Sequence, residues 1–359
     1  MARPERKAAI MVSFGELLGL IARDPFLALV LVLVMGTIFV NGATDAANAI
    51  AEPIGTRAID VDSAIIMSVI TNFIGLVGMT LFSTAVADTM SNMVDFGGDN
   101  RAALIALAAA TVSIVTWSSL AWVFGIPTSE SHALIAGLTG AALAVHGGFQ
   151  AVNMDEWIKV LYGMLLSTVL GFIAGWAIAK VIPYFCRDVD RRQANDFFAK
   201  MQVWAAAGAS AMHGAQDGQK FMSTAMLAIT LSAGASVANA QFPFWLEVLC
   251  AAVMAIGTGI GGKPIIKKVG IDMVQLEQYQ GFAAALSATG ALLLATLTGL
   301  PVSTTHTSGS AMMGAGAAKD PRSVDWTVAK EMVMTWVCTF PGCGLIGFVL
   351  AKVFLALFY

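Results

Sequence analysis

The sequence predicts an all-α polytopic membrane protein of about 10–12 transmembrane or re-entrant helical segments arranged as two repeats. Three observations carry that class. Of the 359 residues, 57% are hydrophobic and only 12% are charged, against about 25% charged in an ordinary soluble domain. Four windows, 64–87, 102–129, 221–246 and 278–318, contain no Asp, Glu, Lys or Arg. Each exceeds the roughly 20 residues that carry a helix across the hydrocarbon of a bilayer, and none shows the period-two alternation of a membrane barrel. Finally, two short polar motifs recur, in the same order, in the two halves of the chain.

Residues 1–25 read as a polar N-terminal segment. Its start, "MARPERKAAI", is basic and has no small-residue cleavage site before the first apolar run, so no cleaved signal peptide is expected. A first repeat spans 26–186, with apolar segments near 26–40, 64–87, 102–124, 133–150 and 158–181. The one long polar connection, "RDVDRRQANDFFAK" at 187–200, separates it from a second repeat, 201–359. Apolar segments there lie near 202–212, 221–239, 244–260, 280–298, 302–318 and 328–357. The basic turn "GGKPIIKKVG" (261–270) carries Lys263, Lys267 and Lys268. The positive-inside rule makes this turn and the 187–200 linker cytoplasmic. Arg3, Arg6, Lys7 and Arg23 pull the N-terminus the same way, which leaves the number of spans before the linker open.

Composition excludes several classes. No basic stripe with interleaved aromatics is present, so no nucleic-acid partner is expected. Cys186, Cys250, Cys338 and Cys343 show neither CxxC nor Cys/His spacing. They read as buried structural thiols, with no metal centre and no cofactor. The absence of a G-x-x-x-x-G-K-[ST] motif argues against direct use of ATP.

The repeated motifs locate the chemistry. "NGATDAAN" (41–48) aligns with "HGAQDGQK" (213–220), matching Gly42 to Gly214, Ala43 to Ala215 and Asp45 to Asp217. "GIPTSESH" (125–132) aligns with "GLPVSTTH" (299–306). Asp45 precedes Pro127 by 82 residues and Asp217 precedes Pro301 by 84. A duplicated pattern of interrupted apolar segments is the signature of a secondary transporter with its site at the repeat interface. An acid inside a membrane segment costs at least roughly 2.5–3.5 kcal/mol, so Asp45 and Asp217 are expected to face an interior cavity and bind cations or protons. The small residues beside them allow an unwound break whose carbonyls would join the carboxylate. The second motif is dense in hydroxyls: Thr128, Ser129, Ser131, Ser303, Thr304 and Thr305. Hydroxyls after a proline that opens a helix cap its free N–H groups, and the same N–H groups and dipole form an anion site without a fixed positive charge. Two acids for cations and two hydroxyl-rich helix starts for an anion make the inventory of an anion–cation symporter. His132 and His306 occupy equivalent positions and are balanced between packing and function; His146 and His213 read as packing residues.

These motifs resemble the duplicated signature of the inorganic phosphate transporter family, in its bacterial low-affinity branch. "GATDAANAIAEPIGTRAI" and "HGAQDGQKFM" are similar to the family's G-A-N-D-x-x-N pair, and "GIPTSESH" and "GLPVSTTH" to its P-V-S-T-T-H pair, over about residues 36–320. The resemblance implies an inverted repeat with two re-entrant hairpins, a multi-pass location in the cell membrane, and a homodimer. It implies a secondary transporter, not an enzyme, importing inorganic phosphate, alone or as a metal–phosphate, in symport with protons or sodium. By position, Asp45, Asp217, Asn48 and Gln219 are the expected cation-coupling residues. Thr128, Ser129, Ser303, Thr304, Thr305, Thr44 and Gln216 are the expected substrate residues.

Three departures bear on the chemistry. Thr44 and Gln216 stand where the family has Asn. Lys220 stands opposite Asn48, where it cannot ligate a cation, which favours proton coupling; a Lys220–Asp217 ion pair is the structural alternative. Glu130 lies beside the expected phosphate site and calls for a partner such as Arg57 or Lys220. A sulfate permease of the same superfamily and an ion channel remain alternatives, the former disfavoured because sulfate has no proton to donate to a carboxylate. An intramembrane hydrolase has little support: Ser129 and His132 are neighbours on one helical turn and no triad is legible.

Overall fold

A computed structural model describes residues 12–124, 126, 128–234 and 241–359. The basic residues Arg3, Arg6 and Lys7, Pro127 of the first hairpin motif, and 235–240 of one charge-free window lie outside the described residues. Short α1 (Phe14–Arg23) precedes α2 (Phe26–Thr44), which passes through a 3-10 turn at Asp45–Ala49 into α3 (Ala51–Gly55). There follow α4 (Val61–Phe82), α5 (Ala85–Ser91), α6 (Asn100–Val123), α7 (Glu130–His146) and α8 (Met154–Phe185). The second half holds α9 (Arg191–Ser232), α10 (Phe244–Ile260), α11 (Lys263–Lys267) with a π-turn at Lys268–Asp272, α12 (Gln278–Leu297), α13 (Thr304–Ala317) and α14 (Trp326–Phe358). Six helices are long and apolar enough to cross a membrane, or seven if α10 and its 64° bent continuation count as one span. Among the described residues there is no strand, only isolated bridges at Val94–Val152 and Val274–Val324.

Two faces can be told apart by their contacts. On one, Arg101 pairs with Asp24 at 3.2 Å, the Tyr359 hydroxyl donates to Asp99, and the Trp245 indole donates to the Val12 carbonyl. Both ends of the described chain therefore lie on this terminal face. On the other, Lys319 pairs with Glu277, Lys268 with Glu331 at 3.0 Å, and Gln278 donates to the Thr56 carbonyl. This linker face carries the turn before α9 and the 261–272 segment. Val12–Asp24 thus lies opposite the linker, not beside it as the basic N-terminus suggested.

The two halves are inverted copies. From the terminal face α6 runs inward, the chain doubles back, and α7 starts in the interior and returns to the same face at His146. From the linker face α12 and α13 do the same. With 17 and 14 residues, α7 and α13 reach only about 21–25 Å at 1.5 Å per residue, short of the roughly 30 Å hydrocarbon. They are the returning arms of two re-entrant hairpins. Close contacts repeat as well. Gly42 on α2 abuts the Met254 carbonyl on α10, and its mate Gly214 on α9 abuts Asn72 on α4. Gly140 on α7 abuts Gly344 on α14, and its mate Gly314 on α13 abuts Phe172 on α8. A Cβ at any of the four would collide with backbone. The pattern also shows that each hairpin leans on the long final helix of the other repeat.

Several expectations are corrected. The segments near 202–212 and 221–239 are joined in one 42-residue helix that runs unbroken through "HGAQDGQK". Most of the expected linker, Arg191–Lys200, is the first part of that helix, its start capped by Asp190 accepting from the Arg192 and Gln193 N–H groups. Arg, Gln, Ala and Lys are good helix formers, with no Pro or Gly to stop them. The backbone break appears only in the first repeat, at Asp45–Ala49. In the second repeat Gly214 and Gly218 serve close packing against Asn72 and Leu76, not unwinding. Of the cysteines, Cys250 and Cys343 are buried, but Cys186 is half-buried and Cys338 is exposed on the apolar outer side of α14.

Candidate functional site

The two hairpin tips meet in the interior. Ser129 caps α7 by accepting from the His132 N–H at 3.3 Å, and Ser303 caps α13 by accepting from the His306 N–H at 3.2 Å. The Ser303 hydroxyl then donates to the Ser129 hydroxyl at 2.8 Å. Two helix starts entering from opposite faces thus converge on one pair of hydroxyls, and both serines are fully buried. Their free N–H groups and dipole ends concentrate positive potential there.

Carboxyls surround the tips. The 3-10 turn after α2 directs Asp45 at the start of α7, where its Oδ2 accepts from the Glu130 N–H at 3.3 Å. Glu130 accepts from the Thr44 hydroxyl at 2.5 Å. It pairs with neither Arg57 nor Lys220, contrary to expectation, because Lys220 is held elsewhere. Asn48 donates to the Asp45 carbonyl and to the Thr305 hydroxyl, both at 3.1 Å, tying the broken helix to the opposite hairpin. Asp217 receives the Asn41 amide at 3.1 Å, the Thr304 hydroxyl at 3.2 Å and the Ser131 hydroxyl at 3.4 Å. Lys220 donates to Asp217 Oδ1 and to Ser131 Oγ, each at 2.8 Å, and to the Val302 carbonyl. None of these side chains is more than 5% exposed, so the cluster is closed to both faces.

Several expected residues stand elsewhere. Gln216 donates to Thr296 and to the Leu300 carbonyl, both at 3.1 Å, and accepts from the Val302 N–H. It braces the extended arm of the second hairpin from behind. Gln219 donates to the Ser83 carbonyl at 2.7 Å, fixing the α4–α5 break, away from Asp217. Thr128 is buried with its hydroxyl unpartnered. His132 and His306 stack edge to face behind the tips, 4.3 Å apart, with His306 against Trp336.

Sequence reasoning passed over four residues. Asn41 opens the first motif, but its counterpart in the second is His213, so no matched residue flags it. Ser131 was read only as one hydroxyl among several. His213, a packing residue on sequence grounds, lies 3.4 Å from Asp217 Oδ2 and 2.6 Å from Asn72 Oδ1; its i, i+4 spacing to the acid is the signal the sequence holds. Glu52, seven residues after Asp45, is 1% exposed with both oxygens unpartnered. A Glu inside an otherwise apolar run is the signal for it in the sequence.

The description "Phosphate transporter family" matches residues 41–193 and again 186–347. The chain belongs to the phosphate transporter family. The double match follows the two repeats. The transporter is 34% identical to a Bacillus subtilis (strain 168) protein named "Probable low-affinity inorganic phosphate transporter", over 89% of this chain and 94% of that one. It is also 34% identical to a Rhizobium meliloti (strain 1021) protein of the same name, over 86% and 90%. A solved structure titled "The sodium-dependent phosphate transporter" shares the fold, with a TM-score of 0.82 and 22% identity, over 93% of this chain and all of that one. The transporter is accordingly a multi-pass membrane protein and not an enzyme.

Proposed function

We propose that the protein imports inorganic phosphate across the cell membrane by cation symport. The observation that carries this reading is the meeting of the two capped helix starts, Ser129 and Ser303 at 2.8 Å, beside three carboxyls and a single ammonium. The helix starts supply N–H donors and hydroxyls for a tetrahedral oxyanion. Asp45, Glu130 and Asp217 against Lys220 leave an excess of negative charge in a buried site, and an arriving phosphate deepens it. Such a cluster is stable only when cations enter with the anion. Asp45 and Glu130, linked through the Glu130 N–H, are the proposed cation pair, with Asn48 and Thr44 holding them. Ser129, Ser303, Thr304 and Thr305 are the proposed phosphate ligands, and Thr128, with its unpartnered hydroxyl, is the remaining candidate. Gln216 and Gln219 are proposed as braces.

Protons are the favoured coupling ion, because Asp45 and Glu130 bring carboxyls but few neutral oxygens. A divalent metal arriving with phosphate would use the same two carboxyls. A protonated phosphate can donate to a carboxylate, which sulfate cannot. The linker face bears Arg187, Arg191, Arg192, Lys263, Lys267, Lys268 and Lys319, against Arg23, Arg101 and Lys159 on the terminal face, which supports the linker face as cytoplasmic.

Uptake of labelled phosphate into proteoliposomes tests the reading. Wild type should take up phosphate with little competition from sulfate, respond to an imposed pH gradient, and persist when choline replaces Na⁺ at fixed pH. Asp45→Asn should abolish accumulation. Equal competition by sulfate would reassign the substrate, and collapse in choline would make sodium the coupling ion. Uptake stimulated only by a divalent cation would favour the metal–phosphate form.

A further inference from the structure

We propose that the Lys220 ammonium is a built-in replacement for a transported cation: it fills the cation position of the second repeat, so each cycle needs one mobile cation fewer than two equivalent repeats would bind. This inference rests on the phosphate-symport reading above.

Three observations support it. The first is the set of atoms around Nζ. Asp217 Oδ1 from α9 and Ser131 Oγ from α7 each lie at 2.8 Å, and the Val302 carbonyl from the arm before α13 completes the group. A carboxylate, a hydroxyl and a backbone carbonyl converging from three elements is the donor set that hard cations take. Here an ammonium occupies it. The second is the hydrogen-bond inventory. An ammonium has three N–H donors, and all three are engaged by these oxygens. None is left for phosphate, so Lys220 is not part of the anion site in this conformation.

The third is the repeat itself. Lys220 stands at the place of Asn48, a neutral amide. Glu130 and Glu52 of the first repeat stand at the places of Thr304 and Thr224 of the second. Thr224 satisfies its hydroxyl on the Lys220 carbonyl at 3.3 Å. The first half therefore concentrates acids without a base, and the second holds one acid with its base attached. A mobile cation has a place in the first half. In the second the positive charge is tethered and returns with the protein, not with the solute.

The test uses the full chain in proteoliposomes, comparing wild type, Lys220→Asn, Lys220→Gln and the double variant Asp217→Asn/Lys220→Asn. Phosphate uptake is measured against Na⁺, Li⁺ and pH, and the charge moved per phosphate is read from the voltage at which flux reverses. In choline at neutral pH, Lys220→Asn should lose on the order of a hundredfold in uptake, the population penalty of an unpaired buried carboxylate. Na⁺, Li⁺ or lower pH should restore it, with one additional positive charge carried per phosphate. The double variant, lacking both acid and base, should return to the wild-type charge per phosphate.

The inference is overturned if Lys220→Asn keeps the wild-type charge and cation dependence, which makes the pair structural only. It is also overturned if the single variants remain folded, judged by thermal stabilisation with inorganic phosphate, yet no cation restores them. Should both single variants fail to fold, rescue decides: thermal stabilisation of Lys220→Asn by Na⁺, Li⁺ or lower pH supports the inference, and failure of every cation to stabilise it sinks it. Absence of phosphate uptake by wild type would instead refute the symport reading itself.

Discussion

Replacing Gly214 by alanine tests whether the α4–α9 crossing sets the site. A Cβ there would sit 2.8 Å from both the carbonyl carbon and the Cα of Asn72. Carbon atoms prefer roughly 3.5–4.0 Å, so α9 must retreat from α4 by about 1 Å, since the obstacle is backbone and cannot rotate away. Overpacking of this kind costs about 1–3 kcal/mol. The displacement would fall on the turn that carries His213, whose ring reaches Asn72 at 2.6 Å, and on Asp217 one turn further. A misplacement of about 1 Å in a preorganised site can cost on the order of a hundredfold in rate. The assay pairs thermal unfolding in detergent with phosphate uptake, and Gly290→Ala serves as control, since nothing lies within 4 Å of the Cβ it would add. The expected outcome is a destabilised, nearly inactive Gly214→Ala and an intact control. Normal stability and uptake in Gly214→Ala would refute the argument, as would equal damage from both variants.

Other outcomes follow from particular residues. Glu52→Thr should stabilise the protein by about 1–3 kcal/mol in thermal or denaturant unfolding, because it removes two unpartnered buried oxygens and gives the position the residue of its repeat mate Thr224; a loss of stability would show that Glu52 has a partner in another state of the cycle. Ser129→Ala and Ser303→Ala should each cost about 0.5–2 kcal/mol as lost caps and raise the KM for phosphate, and a KM unchanged in both would remove the tips from the anion site. At the terminal face, the Tyr359 hydroxyl and the Ala102 N–H hold Asp99 below the usual carboxylate range. Its contribution to the start of α6 is therefore present above that range and lost as pH falls through the depressed value. Protection factors of the Arg101 and Ala102 amides, corrected for intrinsic exchange, should fall only in acid, and Asp99→Asn should blunt that response.

Much of this arrangement was legible in the residues. Asp45 and Asp217 stand out because isolated acids inside apolar runs must face one another or a cavity, and Ser129 and Ser303 because a hydroxyl after a helix break is a cap. The inversion was implied by the family resemblance; the duplicated motifs alone leave the number of crossings between the halves open. Three things were hidden. Hydropathy treats "HGAQDGQK" as a gap, yet a buried helix with a partner for nearly every polar side chain needs no gap, and α9 passes straight through. Gln216 and Gln219 share a motif with Asp217 but emerge on other sides of the helix, where they meet Thr296 and the Ser83 carbonyl. The Asn41–Asp217 hydrogen bond joins residues 176 apart in sequence and the His213–Asn72 one joins neighbouring helices; no local pattern announces either, and only the i, i+4 spacing of His213 to Asp217 is local.

Because each hairpin rests on the last long helix of the other repeat, neither half has a complete set of neighbours. Gly140 needs Gly344, and Gly314 needs Phe172. Half of the chain made alone would present these backbone surfaces to lipid with nothing to cover them. A single ancestral unit built this way could have been whole only as a pair inserted in opposite orientations, each copy completing the other. Fusion into one chain then freed the copies to diverge, and the exchange of Asn48 for Lys220 and of Glu130 for Thr304 is divergence of that kind. Co-expressed fragments 1–186 and 187–359 should accordingly assemble into a working unit, while either fragment alone should be degraded.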